Sequence, residues 1–217
     1  MSYNLKKIKK IIMKWDYEFD VVVIGSGNGA LTSAICSHDG GAKTLVIEKS
    51  TQFGGTSATS GGGVWIPNNM YAKAENVDDS DQDARDYINS VSPEGQIKDE
   101  LVETYLSERP KMIDYLHENS QVKYRNLAHY PDTFQIPSGK AGNRSMEPEP
   151  IKGTELGDDL GKLREQHPQT AFTMGPINMN FTQVEGQLLL GALPGWKTQF
   201  AKLFTKYILD IPMRFKW

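Results

Sequence analysis

Asp20-Val-Val-Val-Ile-Gly-Ser-Gly-Asn-Gly-Ala30 decides how this chain folds. A short apolar run stops at glycines, and a helix-compatible segment, Ala30 to Ser37, follows at once. That order predicts a strand, a tight turn and a helix N-terminus, the arrangement that holds a pyrophosphate. Gly25 allows the sharp turn, Gly27 lets a phosphate approach the backbone, and Ala30 is small enough for helix and strand to pack closely. Ser26, Asn28 and Gly29 complete the turn. Val21 to Ile24 is β-branched throughout, which predicts a strand buried on both faces. Gly40-Gly41 ends the helix, and Thr44 to Ile47 reads as the second strand. Glu48 follows directly, 23 residues after Gly25 (48 − 25). An acidic side chain there accepts hydrogen bonds from a ribose.

The segment after Glu48-Lys49 narrows the choice of dinucleotide. Ser50 to Pro67 contains Gly54, Gly55, Gly61, Gly62 and Gly63 together with Thr56, Ser57, Thr59 and Ser60. A nicotinamide nucleotide needs no second glycine–hydroxyl tract at this point. FAD is longer and must be lined from its pyrophosphate to its isoalloxazine by backbone amides and small hydroxyls, where glycine permits close approach. A flexible linker of the same composition would not end in Val64-Trp-Ile-Pro67, which calls for burial.

With those residues in view, the chain resembles the FAD-dependent fumarate reductase/succinate dehydrogenase flavoprotein superfamily. The resemblance rests on Gly25-Ser-Gly-Asn-Gly-Ala30, Val46-Ile-Glu-Lys49 and Gly54-Gly-Thr-Ser-Ala-Thr-Ser-Gly-Gly-Gly-Val-Trp-Ile-Pro67. Within the superfamily the last tract is most similar to the 3-ketosteroid dehydrogenases. The resemblance implies an α/β fold: a Rossmann-like FAD-binding βαβ domain over 19–150, after a basic leader at 1–18, then the start of an α+β substrate domain over 151–217. It implies that Gly25, Ser26, Gly27, Asn28, Gly29 and Ala30 hold the pyrophosphate and Glu48, with Lys49, the ribose. Gly55, Thr56, Ser57, Ser60, Gly61, Gly62 and Gly63 would line the rest of the flavin. Succinate dehydrogenase flavoproteins carry their flavin on a histidine near this tract. No histidine lies between Gly40 and Pro67, so FAD should be held non-covalently.

Gln121 to Pro150 holds His129-Tyr-Pro-Asp132 and Gly139-Lys-Ala-Gly-Asn-Arg-Ser-Met-Glu-Pro148. Loops of this length are functional or disordered, and Tyr124, Tyr130, Phe134 and Met146 argue against disorder. The second motif is similar to the Gly-Arg-Ala-Gly-Gly-Arg-Ser-Ile-Glu-Pro loop of the 3-ketosteroid dehydrogenases, and the first to their Tyr-Tyr-Pro. The resemblance gives Tyr130 a place in a steroid pocket, assisting proton abstraction. His129, standing where the family has its first tyrosine, is the second candidate, and an aromatic that merely packs the loop is the structural alternative. Arg144 is expected to pair with Glu147 or bond backbone carbonyls. Leu156 to Leu160 is also similar to a family segment, within a charged connection over Ile151 to Gln169.

The implied activity is introduction of a C1–C2 double bond into 3-ketosteroids, with proton loss at C2 and hydride transfer from C1 to the flavin. The alternatives are a 3-keto-5α-steroid Δ4-dehydrogenase, a fumarate reductase-like enzyme, or a flavin-binding piece without activity. A dicarboxylate reductase needs arginines that clamp carboxylates, and Arg144 alone is a poor case for one. The resemblance spans Phe19 to the end but only the N-terminal part of a family member, so an incomplete chain is expected, with sheet edge and helix faces left uncovered.

Elsewhere the pattern is plainer. The chain of 217 residues, 38% hydrophobic and 24% charged with net charge −3, implies no general attraction to nucleic acid. One cysteine, Cys36, excludes an intrachain disulfide, fits a reducing, cytoplasmic setting and is expected to pack in the first helix. No apolar run approaches the ~20 residues of a membrane span. The lysine-rich leader allows a weak membrane-surface contact through Ile8, Ile11, Ile12 and Trp15. Asn68 and Asn69 read as a turn, and Ser80 as the cap of a helix reaching Ser90. Pro93 should open a longer helix that Pro110 interrupts and His117 ends. Ala171 to Phe181, with Met174 and Met179, reads as a soft hydrophobic wall or as ordinary core. Phe200, Leu203, Phe204, Tyr207 and Ile208 form the apolar stripe of a last helix.

Overall fold

A computed structural model describes residues 15–167 and 182–214, with the side chains of 210–214 left out. The leader contacts at Ile8, Ile11 and Ile12 and the methionine segment of 171–181 lie outside the described residues. Strand β1 (Val21–Ile24), helix α1 (Asn28–Asp39) and strand β2 (Thr44–Ile47) form a parallel βαβ unit with Val21 opposite Thr44 and Ile24 opposite Ile47. Both strands keep the bounds their composition predicts. Their burial does not: Val23 is buried, but Val22 is 51% and Ile24 81% exposed. Among the described residues this sheet has two strands, so little covers its outer positions. Cys36 is exposed as well, because the face of α1 that carries it meets no second layer.

The chain then makes α2 (Gly55–Thr59), β3 (Val64–Trp65), α3 (Met70–Ala74) and α4 (Asp81–Val91). Asn69 does more than turn the chain, since its side-chain oxygen accepts the Tyr71 and Ala72 amides and caps α3. Ser80 caps α4 through the Asp83 amide at 3.1 Å, as its position predicts. Helix α5 (Asp99–Asn119) starts six residues after Pro93 (99 − 93) and runs through Pro110 without a break. β4 (Tyr124–Asn126) and β5 (Ser145–Pro148) complete an antiparallel sheet of order β3-β5-β4. A 3₁₀ segment, Gly153–Lys162, occupies the expected connection. Helices α6 (Gln183–Leu190) and α7 (Trp196–Arg214) follow. Leu203 is buried on α7, while Phe200, Phe204 and Ile208 stay partly exposed. The core lies between α5 and the second sheet, where Ile66, Ile113, Tyr124 and Met146 pack together.

The survival of α5 at Pro110 has a local cause. Proline has no N–H, so the Leu106 carbonyl one turn back loses its helical donor. The Arg109 guanidinium supplies one: it donates to Leu106 O, to Pro67 O at 3.2 Å and to Asp81 Oδ1 at 2.6 Å. Arg109 is buried to 3% exposure. Arg109→Met should therefore cost about 2 kcal/mol in urea unfolding, because two buried carbonyls lose their donor. Adding Pro110→Ala should recover part of that by restoring the missing N–H. A double variant no more stable than the single one would refute the repair.

Candidate functional site

The turn after β1 bends at Gly25, whose φ of +96° is left-handed and whose N–H donates to Ile47 O at 2.7 Å. α1 then begins at Gly27 without a side-chain cap, which leaves its N-terminus available to an anion. Ser26, 4% exposed, ties three segments together. Its hydroxyl donates to Glu48 Oε2 at 2.6 Å and accepts the Gly54 amide at 2.9 Å. The first glycine turn, the acidic strand end and the second glycine tract thus meet at one side chain. Ser57 adds a second tie, accepting the Asn28 amide at 3.0 Å.

The two tracts also touch backbone to backbone. Gly55 has φ +56°, and a Cβ placed there would stand 3.2 Å from Gly27 Cα and 3.3 Å from Gly27 N. Gly55→Ala combines left-handed strain with that crowding, about 1–3 kcal/mol. FAD affinity measured by equilibrium titration should fall roughly ten- to hundredfold. Unchanged affinity would mean that the crossing does not shape the cradle.

Beyond Ser57 the wall continues through Ser60, whose hydroxyl donates to Ser57 O and accepts the Gly62 amide. A cleft of about 340 Å³ runs along this surface, bounded by Ser26, Asn28, Gly54, Ser57, Gly61 and Gly62. Its other side is Tyr124 and Pro148 from the second sheet and Val122 just before β4, with Phe53 and Leu163, which form an isolated bridge. These apolar wall residues are legible only in the folded chain. Lys49 and Thr56, predicted at the cofactor, are exposed and do not line the cleft.

Glu48 accepts hydrogen bonds from Ser26 and from the Ser50 amide at 3.0 Å. These hold its carboxyl below the usual value of 4.5, against a smaller desolvation effect. A depressed folded-state pKa means that the contribution is complete above 4.5 and is lost as pH falls through the lower folded value. Urea unfolding followed as pH is lowered should show a step in stability below pH 4.5 that is absent in Glu48→Gln. The same step in both proteins would mean that Glu48 does not carry it.

Tyr130 sits apart from this cleft. It is 45% exposed, its N–H donates to Leu127 O at 3.2 Å, and its neighbour His129 is also exposed. The loop that carries both is tightly built. A Cβ on Gly142 would fall 1.9 Å from Ala128 O, so only glycine lets these two backbone segments pass. Asp132 accepts from Trp65 Nε1 at 2.7 Å and from the Lys140 amide at 2.9 Å. Arg144 does not pair with Glu147. It forms a bidentate pair with Asp79 and bonds Asp132 and the Ser138 carbonyl. Arg125 takes Glu147 instead, at 2.8 Å. Arg144 stands over Trp65 and Tyr87, which directs its guanidinium toward the loop rather than along β5.

A cleft lined by residues of both glycine tracts, with an acidic strand end hydrogen-bonded to its Ser26, has the form of a nucleotide site, and a family described as FAD binding domain matches residues 20–197. The chain belongs to that family, and FAD is the cofactor its residues fit. It is 36% identical over 163 residues to the 3-oxosteroid 1-dehydrogenase of Mycobacterium tuberculosis, covering 75% of this chain and 28% of the relative. It is 32% identical to the enzyme of that name from Comamonas testosteroni, over 93% of this chain and 35% of the relative. The crystal structure of 3-ketosteroid delta1-dehydrogenase from Sterolibacterium denitrificans, in complex with 1,4-androstadiene-3,17-dione, superposes with TM-score 0.81. It is 38% identical, and the match covers 92% of this chain and 35% of that one. The chain therefore spans about a third of the length of these relatives. Among the described residues no helix is long and apolar enough to cross a membrane.

Proposed function

We propose that this chain is the FAD-holding part of a 3-ketosteroid Δ1-dehydrogenase, with a Rossmann-like cofactor domain over 19–150 and the start of a substrate domain over 151–217. The observation that supports the cofactor half most directly is Ser26, which lines the cleft and is hydrogen-bonded to both Glu48 and the Gly54 amide of the second glycine tract. The Gly25 to Ala30 turn and the α1 N-terminus receive the pyrophosphate, and Glu48 receives the ribose. Ser57, Ser60 and the Gly61 to Gly63 wall line the remainder, and FAD is held without a covalent bond. The likeness to the Sterolibacterium denitrificans enzyme supports a 3-ketosteroid as the substrate.

FAD, when bound, supplies the hydride acceptor. The chain's own part in the reaction is proton removal. A ketone acidifies its α-carbon, and the Tyr130 side chain, as the phenolate, takes the C2 proton and becomes the phenol while a donor polarises the carbonyl. The neighbouring carbon, C1, loses hydride, and the electron pair of the broken C2–H bond becomes the C1–C2 double bond. The loop pinned at Asp132 and Arg144 sets where that phenol stands.

The direct test incubates the full-length FAD-loaded enzyme that contains this chain with androstenedione and an artificial electron acceptor. Formation of the 1,4-diene together with acceptor reduction is expected. Bound FAD with no reduction would leave the cofactor reading and remove the steroid one. A product desaturated elsewhere in the ring system would favour the Δ4-type alternative.

A further inference from the structure

Beside Gly61, which lines the cleft, a side chain from a distant part of the sequence approaches the glycine wall. The Gln183 amide nitrogen stands 2.7 Å from where a Gly61 Cβ would be and 3.6 Å from the same point on Gly63. Gln183 is held there firmly. Its backbone N–H donates to Glu147 Oε2 at 2.7 Å, and the Val184 N–H donates to Glu147 Oε1 at 3.1 Å. Glu147 is 2% exposed and receives Arg125 Nε at 2.9 Å. Thr182 closes the turn with a reciprocal capping box to Glu185. The helix start is therefore fastened to β4 and β5, while the carboxamide itself has no hydrogen-bond partner among the described residues.

We infer that the Gln183 carboxamide hydrogen-bonds the polar edge of the FAD isoalloxazine and so positions the ring against the Gly61 to Gly63 wall. The inference rests on the cleft being the FAD site. An extended dinucleotide with its pyrophosphate at Gly25 to Ala30 brings its ring system to the Gly61 end. A carboxamide offers both a donor and an acceptor, which matches the alternating N–H and carbonyl groups of that edge. Glu147 explains the placement. Its buried charge consumes the first free amides of α6, so the side chain of Gln183 is aimed by a rigid support and not by a mobile loop.

The test compares the wild-type holoprotein with Gln183→Met, which keeps length and packing, and Gln183→Glu, which keeps shape and adds charge. Each is stripped of flavin and titrated with FAD, and its visible flavin spectrum and reduction potential are recorded. Gln183→Met should bind FAD roughly three- to tenfold more weakly, the worth of one neutral hydrogen bond, with a displaced flavin absorption band. Gln183→Glu should have a lower potential, because a carboxylate at the ring opposes the electrons added on reduction. Wild-type affinity, spectrum and potential in both variants would overturn the inference and leave the cleft reading intact. A wild-type protein that takes up no FAD would overturn both.

Discussion

Replacing Arg144 by methionine should lower unfolding stability by about 3–5 kcal/mol, the cost of stripping a buried charge network of one sign. Arg144 is 1% exposed, and its two carboxylate partners, Asp79 and Asp132, have side chains 2% and 1% exposed. Burial disfavours charge on the guanidinium, but Asp79 and Asp132 more than offset that and raise its pKa above the usual value. Without it, two carboxylates face each other's region with only neutral donors: the Asn68 amide at Asp79, and Trp65 and the Lys140 amide at Asp132. Arg144→Lys should recover little, since an ammonium has no planar fork to bridge both acids. Urea unfolding at neutral pH measures the loss. A loss below about 1 kcal/mol, the level of an exposed pair, would mean that the network is not formed.

Tyr130→Phe is the second large effect. If its phenol oxygen removes the substrate proton, kcat for steroid desaturation should fall about 10²–10⁴-fold, the usual span for a positioned acid–base group. FAD content should not change, because Tyr130 stands outside the cleft that Ser26 and Ser57 organise. His129→Ala is the matched control, one residue away and also exposed. Loss of turnover in His129→Ala with Tyr130→Phe unaffected would transfer the role to the histidine. Loss of FAD in either variant would make the loop a part of the cradle.

Much of the site was legible because it is local. The strands on either side of Gly25 follow from β-branched runs, and the end of α1 from Gly40-Gly41, although the helix starts two residues before Ala30. Ser80 announced a helix start through one hydroxyl and one amide three residues on. Pro110 misled for the opposite reason. Its effect on α5 depends on whether a donor reaches Leu106, and the donor belongs to a guanidinium that also bonds Pro67 and Asp81. The partners of Arg144 were equally hidden, since Asp79 lies 65 positions away along the chain. A signal for α6 did stand in the sequence, Thr182-Gln-Val-Glu185, the capping-box spacing. That its first residue lies on the Gly61 wall could come only from the folded chain.

The amino-acid order alone determined the βαβ unit, the two glycine tracts and the acid between them, because each depends on backbone freedom and side-chain volume within a few residues. The tertiary structure decided that Ser26 joins those parts, that Arg144 binds Asp79 and Asp132, and that Gln183 lies against Gly61 and Gly63. Those pairings are set by which surfaces pack together, and residues far apart in the chain carry no local mark of the neighbours that folding gives them.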